Sequence, residues 1–360
     1  MELLLLLLLL LPLALTEASS GPHGSWCERG CDCRGDLKFT ICSGALLTRL
    51  PGRVPPDTEL LDLSDNHISA VPRGSFCRTR KLRFLLLQNN NISAVEDGGF
   101  SQMEFLHKLD LSRNRISALG AGFSAGLDLL RELQLAHNRL EALDSRSFLH
   151  LDGLRRLNLS SNGIRTIGAR SFAAMSGLRQ LHLQRNALRS LRSGMFSALR
   201  SLEVLDLSGN QIAATEAAVF KPLASLTLLD LAGNRMSGVR FKTFLGIGAH
   251  STHVLLGGNP WTCDCDLHRV LRKLRGVQRL FLDDYGNLTC REPAPLGDHR
   301  LMEVDADLCL AETVTVLVIT VTVVITLLAA MLMGERKRKR KKKEAKHWTQ
   351  QGDVSDESDY

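Results

Sequence analysis

A length of 360 residues suggests two or three compact domains, yet only 5% of the residues are aromatic and leucine is abundant, so repeat architecture is the first thing to test. The net charge of +7 divides into +6 over residues 21–312, +3 over residues 334–360 and −2 from Glu2 and Glu17, which argues little for nucleic acid. The nine cysteines form two tight groups, four from Cys27 to Cys42 and four from Cys263 to Cys309, with Cys77 alone between them; such grouping suits disulfides in an oxidising compartment.

The chain opens on Leu3 to Leu15, thirteen apolar residues, too few to span a bilayer, followed by small and polar Thr16 to Gly21. Residues 1–20 therefore read as a cleaved secretory signal, although Glu2 stands where a basic n-region is usual. Residues 21–58 hold the first cysteine group, Cys27-x3-Cys31-x-Cys33-x8-Cys42.

From residue 59 to 258 one pattern recurs. Leu61-Asp62-Leu63-Ser64-Asp65-Asn66 has the form L-x-L-x-x-N, and its Asn returns at 90, 114, 138, 162, 186, 210 and 234, always after 24 residues. An imperfect ninth copy ends on Asn259, after 25. A Leu lies sixteen residues after each Asn up to Leu226, and a Phe ten residues after, with Phe123 one residue early. Alternation in L-x-L predicts a short strand with its leucines inward and the residue between them on an open face. Stacked copies predict one parallel sheet, and the Asn after each strand is placed to bond backbone groups of neighbouring coils. A single coil cannot bury its own Leu and Phe, so several must stack and both ends need caps.

Residues 259–312 follow, with Asn259-Pro260-Trp261-x-Cys263-x-Cys265, then Cys290 and Cys309. Taken with the L-x-x-L-x-L-x-x-N-x-L repeats, these flanks resemble the extracellular leucine-rich-repeat family over residues 27–309. The resemblance implies an α/β leucine-rich-repeat solenoid with a parallel sheet on its concave face and disulfide caps at both ends. It further implies the pairs Cys27 with Cys33, Cys31 with Cys42, Cys263 with Cys290 and Cys265 with Cys309, which spacing alone leaves open.

Within the solenoid several residues carry functional expectations. Asn91, Asn158 and Asn287 head N-x-S/T glycosylation sequons, and a glycan on Asn158, between Leu157 and Leu159, would obstruct the middle of the sheet. Phe84 and Leu86 form a small apolar spot that is either a partner anchor or an ordinary exposed pair. Gly153 to Leu202 contains nine arginines and no Asp, Glu or Lys, so Arg155, Arg156, Arg179 and Arg185 are candidates for binding heparan sulfate or an acidic protein face; a solvated surface is the alternative. Cys77 follows core Phe76, and the expectation is a buried free thiol, with an interchain disulfide as the alternative. No catalytic motif is found, and neither a metal nor a cofactor is expected: the Cys-x-Cys pair suits oxidation better than zinc, and His137 and His182 are two coils apart.

Val314 to Met333 is twenty residues without charge, Gly or Pro, enough for about 30 Å of helix, and residues 313–333 are expected to form one transmembrane helix. The eight basic residues Arg336, Lys337, Arg338, Lys339, Arg340, Lys341, Lys342 and Lys343 follow, which places the tail, residues 334–360, in the cytosol and the N-terminus outside. This run is expected to contact anionic inner-leaflet lipid headgroups. Ser355 and Ser358 are phosphorylation candidates, and Ser358-Asp359-Tyr360 is a weak match to a PDZ ligand.

The function expected is non-enzymatic recognition of a protein or glycosaminoglycan at the plasma membrane by a single-pass type I protein. The alternative is an auxiliary subunit of an ion channel or other membrane complex, since the layout is similar to the leucine-rich gamma subunits of large-conductance potassium channels. Eight coils are more than those subunits usually show. Thr315, Thr322 and Thr326 near one helical face suit packing against another span.

Overall fold

The computed structural model describes residues 27–304 and 306–352, with the side chains of 306–313 and 344–352 excepted. The expected signal at residues 1–20, Cys309 and the tail motifs at Ser355 to Tyr360 lie outside the described residues or side chains. Two units separate near Leu301.

The first unit is a solenoid around a twelve-stranded sheet. An antiparallel hairpin, β1 (Asp32–Arg34) and β2 (Phe39–Ile41), starts it. Parallel strands then stack in chain order: β3 (Leu60–Asp62), β4 (Phe84–Leu86), β5 (Lys108–Asp110), β6 (Glu132–Gln134), β7 (Arg156–Asn158), β8 (Gln180–His182), β9 (Val204–Asp206), β10 (Leu228–Asp230), β11 (Thr252–Leu255) and β12 (Leu280–Leu282). The register advances by one repeat at each step, so Leu61, Leu85, Leu109, Leu133, Leu157, Leu181, Leu205 and Leu229 fall in one buried row. The far side of each coil is made of turns and pairs of two-residue strands, with one short helix, α1 (Phe241–Leu245).

Phenylalanines fill the space behind the sheet. Phe76, Phe100, Phe123 and Phe148 form a continuous stack with ring centroids 5.9, 5.9 and 6.4 Å apart. Phe123, one residue out of register, still enters the stack, turning edge-on to both neighbours. Centroid separations in this range suit attractive aromatic contact in addition to apolar burial.

The asparagines tie coil to coil. Asn114 Nδ2 donates to the Leu87 carbonyl of the preceding coil at 2.9 Å and to Leu111 at 3.0 Å, while its Oδ1 accepts from the Ile92 N–H at 2.9 Å. The same three contacts recur at Asn90, Asn138, Asn162, Asn186, Asn210, Asn234 and Asn259. Asn114→Leu leaves buried backbone groups unpaired, each costing about 1–3 kcal/mol, so thermal unfolding should show a loss of roughly 3–5 kcal/mol. A loss below 1 kcal/mol would mean that these bonds do not hold the coils together.

The residue before each Asn is left-handed, with φ near 55° at Asp65, Asn89, Arg113, His137 and Arg185, and near 64° at Gly209 and Gly233. That conformation turns the chain sharply enough for the Asn side chain to enter the stack. Glycine meets it without steric cost, whereas the arginines hold it because the ladder fixes their neighbours.

The last coil is covered by helix α2 (Cys265–Arg275), which begins where Asp264 accepts from the Leu267 N–H at 2.7 Å. Leu267, Leu271 and Leu274 are buried, as is Trp261 just before the helix in sequence. Disulfides join Cys27 to Cys33, Cys31 to Cys42 and Cys263 to Cys290. Cys265 is also disulfide-bonded.

The second unit is helix α3 (Ala306–Gly352). Its segment Val314–Lys343 is long and apolar enough to cross a membrane, with a mean hydropathy of 2.8 in its most apolar window. The hydroxyls of Thr322 and Thr326 donate to the carbonyls of Ile319 and Val323, which satisfies them within the helix.

Candidate recognition surface

Strand register sorts the open face into rows. The first position of each strand runs Phe39, Leu60, Phe84, Lys108, Glu132, Arg156, Gln180, Val204, Leu228, His253, Phe281. The apolar spot foreseen at Phe84 and Leu86 is therefore larger than the pair: Phe39 and Phe84, each 41% exposed, flank half-buried Leu60. At the opposite end, Phe281 stacks on His253 with centroids 5.1 Å apart.

The middle of this row is an ion triad. Glu132 accepts from Lys108 Nζ at 2.9 Å and from Arg156 Nε at 3.0 Å. Burial alone would raise the Glu132 carboxyl, but hydrogen bonds and charge from Lys108 and Arg156 outweigh it and hold the group below the usual glutamate range. A lowered carboxyl contributes stability above its unfolded value and loses it as pH falls through the folded value. Glu132→Gln should thus cost about 1 kcal/mol at pH 7, the scale of partly exposed ion pairs, and the difference from wild type should shrink as pH falls below the ordinary glutamate pKa and vanish only below the lowered folded value. Urea unfolding at several pH values checks this; a pH-independent difference would assign the effect to packing.

The third strand position carries Asp62, Leu86, Asp110, Gln134, Asn158, His182, Asp206 and Asp230. This edge is acidic. Burial pushes the Asp230 carboxyl up, and the neighbouring charges of Asp206 and Asp284 add to it. Burial acts the same way on Asp206, but the His182 ring and the Ser208 N–H and hydroxyl prevail and lower it.

The position just before each strand is basic over five consecutive coils: Arg83, His107, Arg131, Arg155 and Arg179, bounded at the same register by Glu59 and Glu203. Backbone bonds fix this register, with Arg131 N–H donating to the His107 carbonyl, Arg155 N–H to Arg131 and Arg179 N–H to Arg155. Arg83, His107 and Arg131 fall outside the arginine-rich stretch that composition singles out; the signal that finds them is their place one residue after the recurring Leu. Arg155, Arg156 and Arg179 do come together, whereas Arg185 sits in the left-handed turn at the other end of its strand.

A family model described as leucine rich repeat matches residues 80–140, 128–188 and 176–236, windows that fall on the stacked coils. The stacked coils are leucine-rich repeats. The chain is 44% identical over 87 residues to zebrafish leucine-rich repeat-containing protein 3B, covering 24% of this chain and 33% of that one. It is 38% identical over 66 residues to bovine decorin, 18% of each. The matched stretches span a third or less of these curated relatives. Among solved structures it is similar to human 5T4 (Wnt-activated inhibitory factor 1, Trophoblast glycoprotein), with a TM-score of 0.59, 26% identity, and coverage of 79% of this chain and 98% of that one.

Other expected sites of the chain separate by exposure. Asn287 is exposed at the end of a 3-10 turn, Asn91 is half-buried on the turn after its strand, and Asn158 is half-buried on the open face with its Oδ1 accepting from the Ser160 N–H at 3.0 Å. Cys77 corrects an expectation: it is free, as foreseen, but exposed, not buried. Phe76 points into the stack, and the turn that Cys77 closes onto the Gly74 carbonyl sends the next side chain outward.

Proposed function

We propose that this chain is a non-enzymatic recognition protein of the cell surface, held by one membrane-spanning helix with its N-terminus outside, and that its open sheet binds a macromolecular partner. The observation that carries this reading is the face itself: apolar side chains exposed at one end of a rigid sheet, with charged rows of opposite sign along its two edges. Rigid strands hold these side chains without ordering cost on binding, and exposed aromatics beside charge are the usual anchors of protein contacts. Glycans on Asn91 and Asn287 would leave the face open, and the run Arg336 to Lys343 would hold the tail against anionic lipid.

The test exchanges residues 313–333 for an unrelated transmembrane helix and compares proteins captured by proximity labelling on living cells. An unchanged captured set supports the reading. Loss of capture would favour the auxiliary-subunit alternative, in which the span makes the contact.

A further inference from the structure

The row of Arg83, His107, Arg131, Arg155 and Arg179 places four guanidinium groups and one imidazole along a line drawn by the fold. Adjacent strands lie about 4.8 Å apart, so the five positions extend over roughly 19 Å along the edge where the strands begin. Its two ends are neutralised: Arg83 faces Glu59 at 3.4 Å and Arg179 bonds Glu203 at 3.0 Å. Its centre is not. Among the described residues Arg131 and Arg155 make no ion pair, and Arg155 is held in line by donating to the Gly177 carbonyl at 2.9 Å. A Cβ at position 177 would lie 2.6 Å from the Arg155 guanidinium, so the glycine leaves room for this arrangement of the flexible side chain.

Three residues further along each coil the edge is acidic, with Asp62, Asp110, Asp206 and Asp230. An anionic ligand is therefore attracted to one edge of the sheet and repelled from the other, which confines it to a track crossing the coils. We propose that this track binds a linear sulfated polysaccharide, laid across the coils with its anionic groups on the central arginines. Guanidinium forks match sulfate and carboxylate oxygens, and Arg131, Arg155 and Arg179 on three successive coils suit a periodic polyanion. The other candidate occupant is an acidic protein segment, which would also use exposed Phe105 and Leu129, two residues upstream of His107 and Arg131. The proposal rests on the open face being the recognition surface but needs no protein partner, so the two are tested apart.

The experiment displays the full chain on cells lacking glycosaminoglycans and measures binding of fluorescent heparin, with surface level normalised by an extracellular tag. The basic run of the tail then does not meet the probe. Arg131→Ser with Arg155→Ser should weaken binding about tenfold, as two lost ion pairs of exposed type allow. Arg83→Ser with Arg179→Ser is the second pair and should weaken it less, because those arginines are already partnered. Arg165→Ser with Arg189→Ser removes equal charge from another row and should leave binding within about twofold. Equal loss from the control pair, absence of heparin binding by wild type, or loss caused by Phe105→Ser with Leu129→Ser overturns the proposal; the last outcome, with stronger competition by polyglutamate than by heparin, assigns the track to an acidic protein. Protein capture that fails while heparin binding survives would remove the partner-protein reading alone.

Discussion

Cys290→Ser in the full chain should fail to reach the cell surface in normal amount, and the fraction that does should unfold about 10 °C lower. The disulfide it removes, Cys263–Cys290, closes a separation of 27 residues, for which chain entropy alone gives about 3.5 kcal/mol. For a solenoid of this size each kcal/mol is worth about 2–4 °C. The loss falls where the fold can least absorb it. Cys263 and Cys290 bracket α2, which packs on the last strand of the sheet with Leu267, Leu271 and Leu274 buried, and Trp261 is fully buried in the same cap. A solenoid is stabilised by contacts between neighbours, so an uncovered last coil frays and exposes the next. Secretion and melting unchanged from wild type would mean that α2 caps the coils without its crosslink.

The coils were legible because one 24-residue period has to place Leu, Phe and Asn at the same depth every time, and any position that broke step would leave a hole or an unpaired amide. Phe123 breaks step by one residue and is accommodated by turning its ring, which sequence spacing flags but cannot resolve. β12 is the opposite case. Leu280-Phe281-Leu282 extends the sheet by one strand, and Asn287 falls six residues after Phe281 as in the other coils, yet it is exposed, while Asp284 accepts from the Leu256 N–H at 2.8 Å. Binding rows were legible only in part. Composition along the chain gathered Arg155 with Arg185, which the coil sends to opposite ends of a strand, and passed over Arg131, which the register places beside Arg155. Side chains that neighbour one another across coils are 24 residues apart, so a window along the chain cannot see them. Cys77 shows the same limit at a turn, where a residue adjacent to the core faces solvent.

With residues 313–333 replaced by an unrelated membrane helix, the chain should retain its captured partners, while Phe39→Ser with Phe84→Ser should weaken capture by about tenfold or more, the range of aromatic anchor residues. Both rings are exposed, so their removal should change melting little, and retained surface level separates lost contact from lost folding. Phe39 and Phe84 belong to strands two steps apart with Leu60 between them, which lets one apolar group of a partner touch all three. The converse arm expresses residues 313–346 alone. Thr322 and Thr326 already satisfy their hydroxyls within the helix, so the span offers a neighbouring helix mainly shape, and the basic run offers it charge at the inner surface. If that fragment reproduces the effect of the full chain on an associated membrane protein, and the two serine substitutions do not alter it, the contact lies in the membrane and the solenoid serves folding or trafficking. If the fragment is inert and the substitutions abolish capture, the apolar end of the sheet is the anchor, with the ion triad at Glu132 setting its polar boundary.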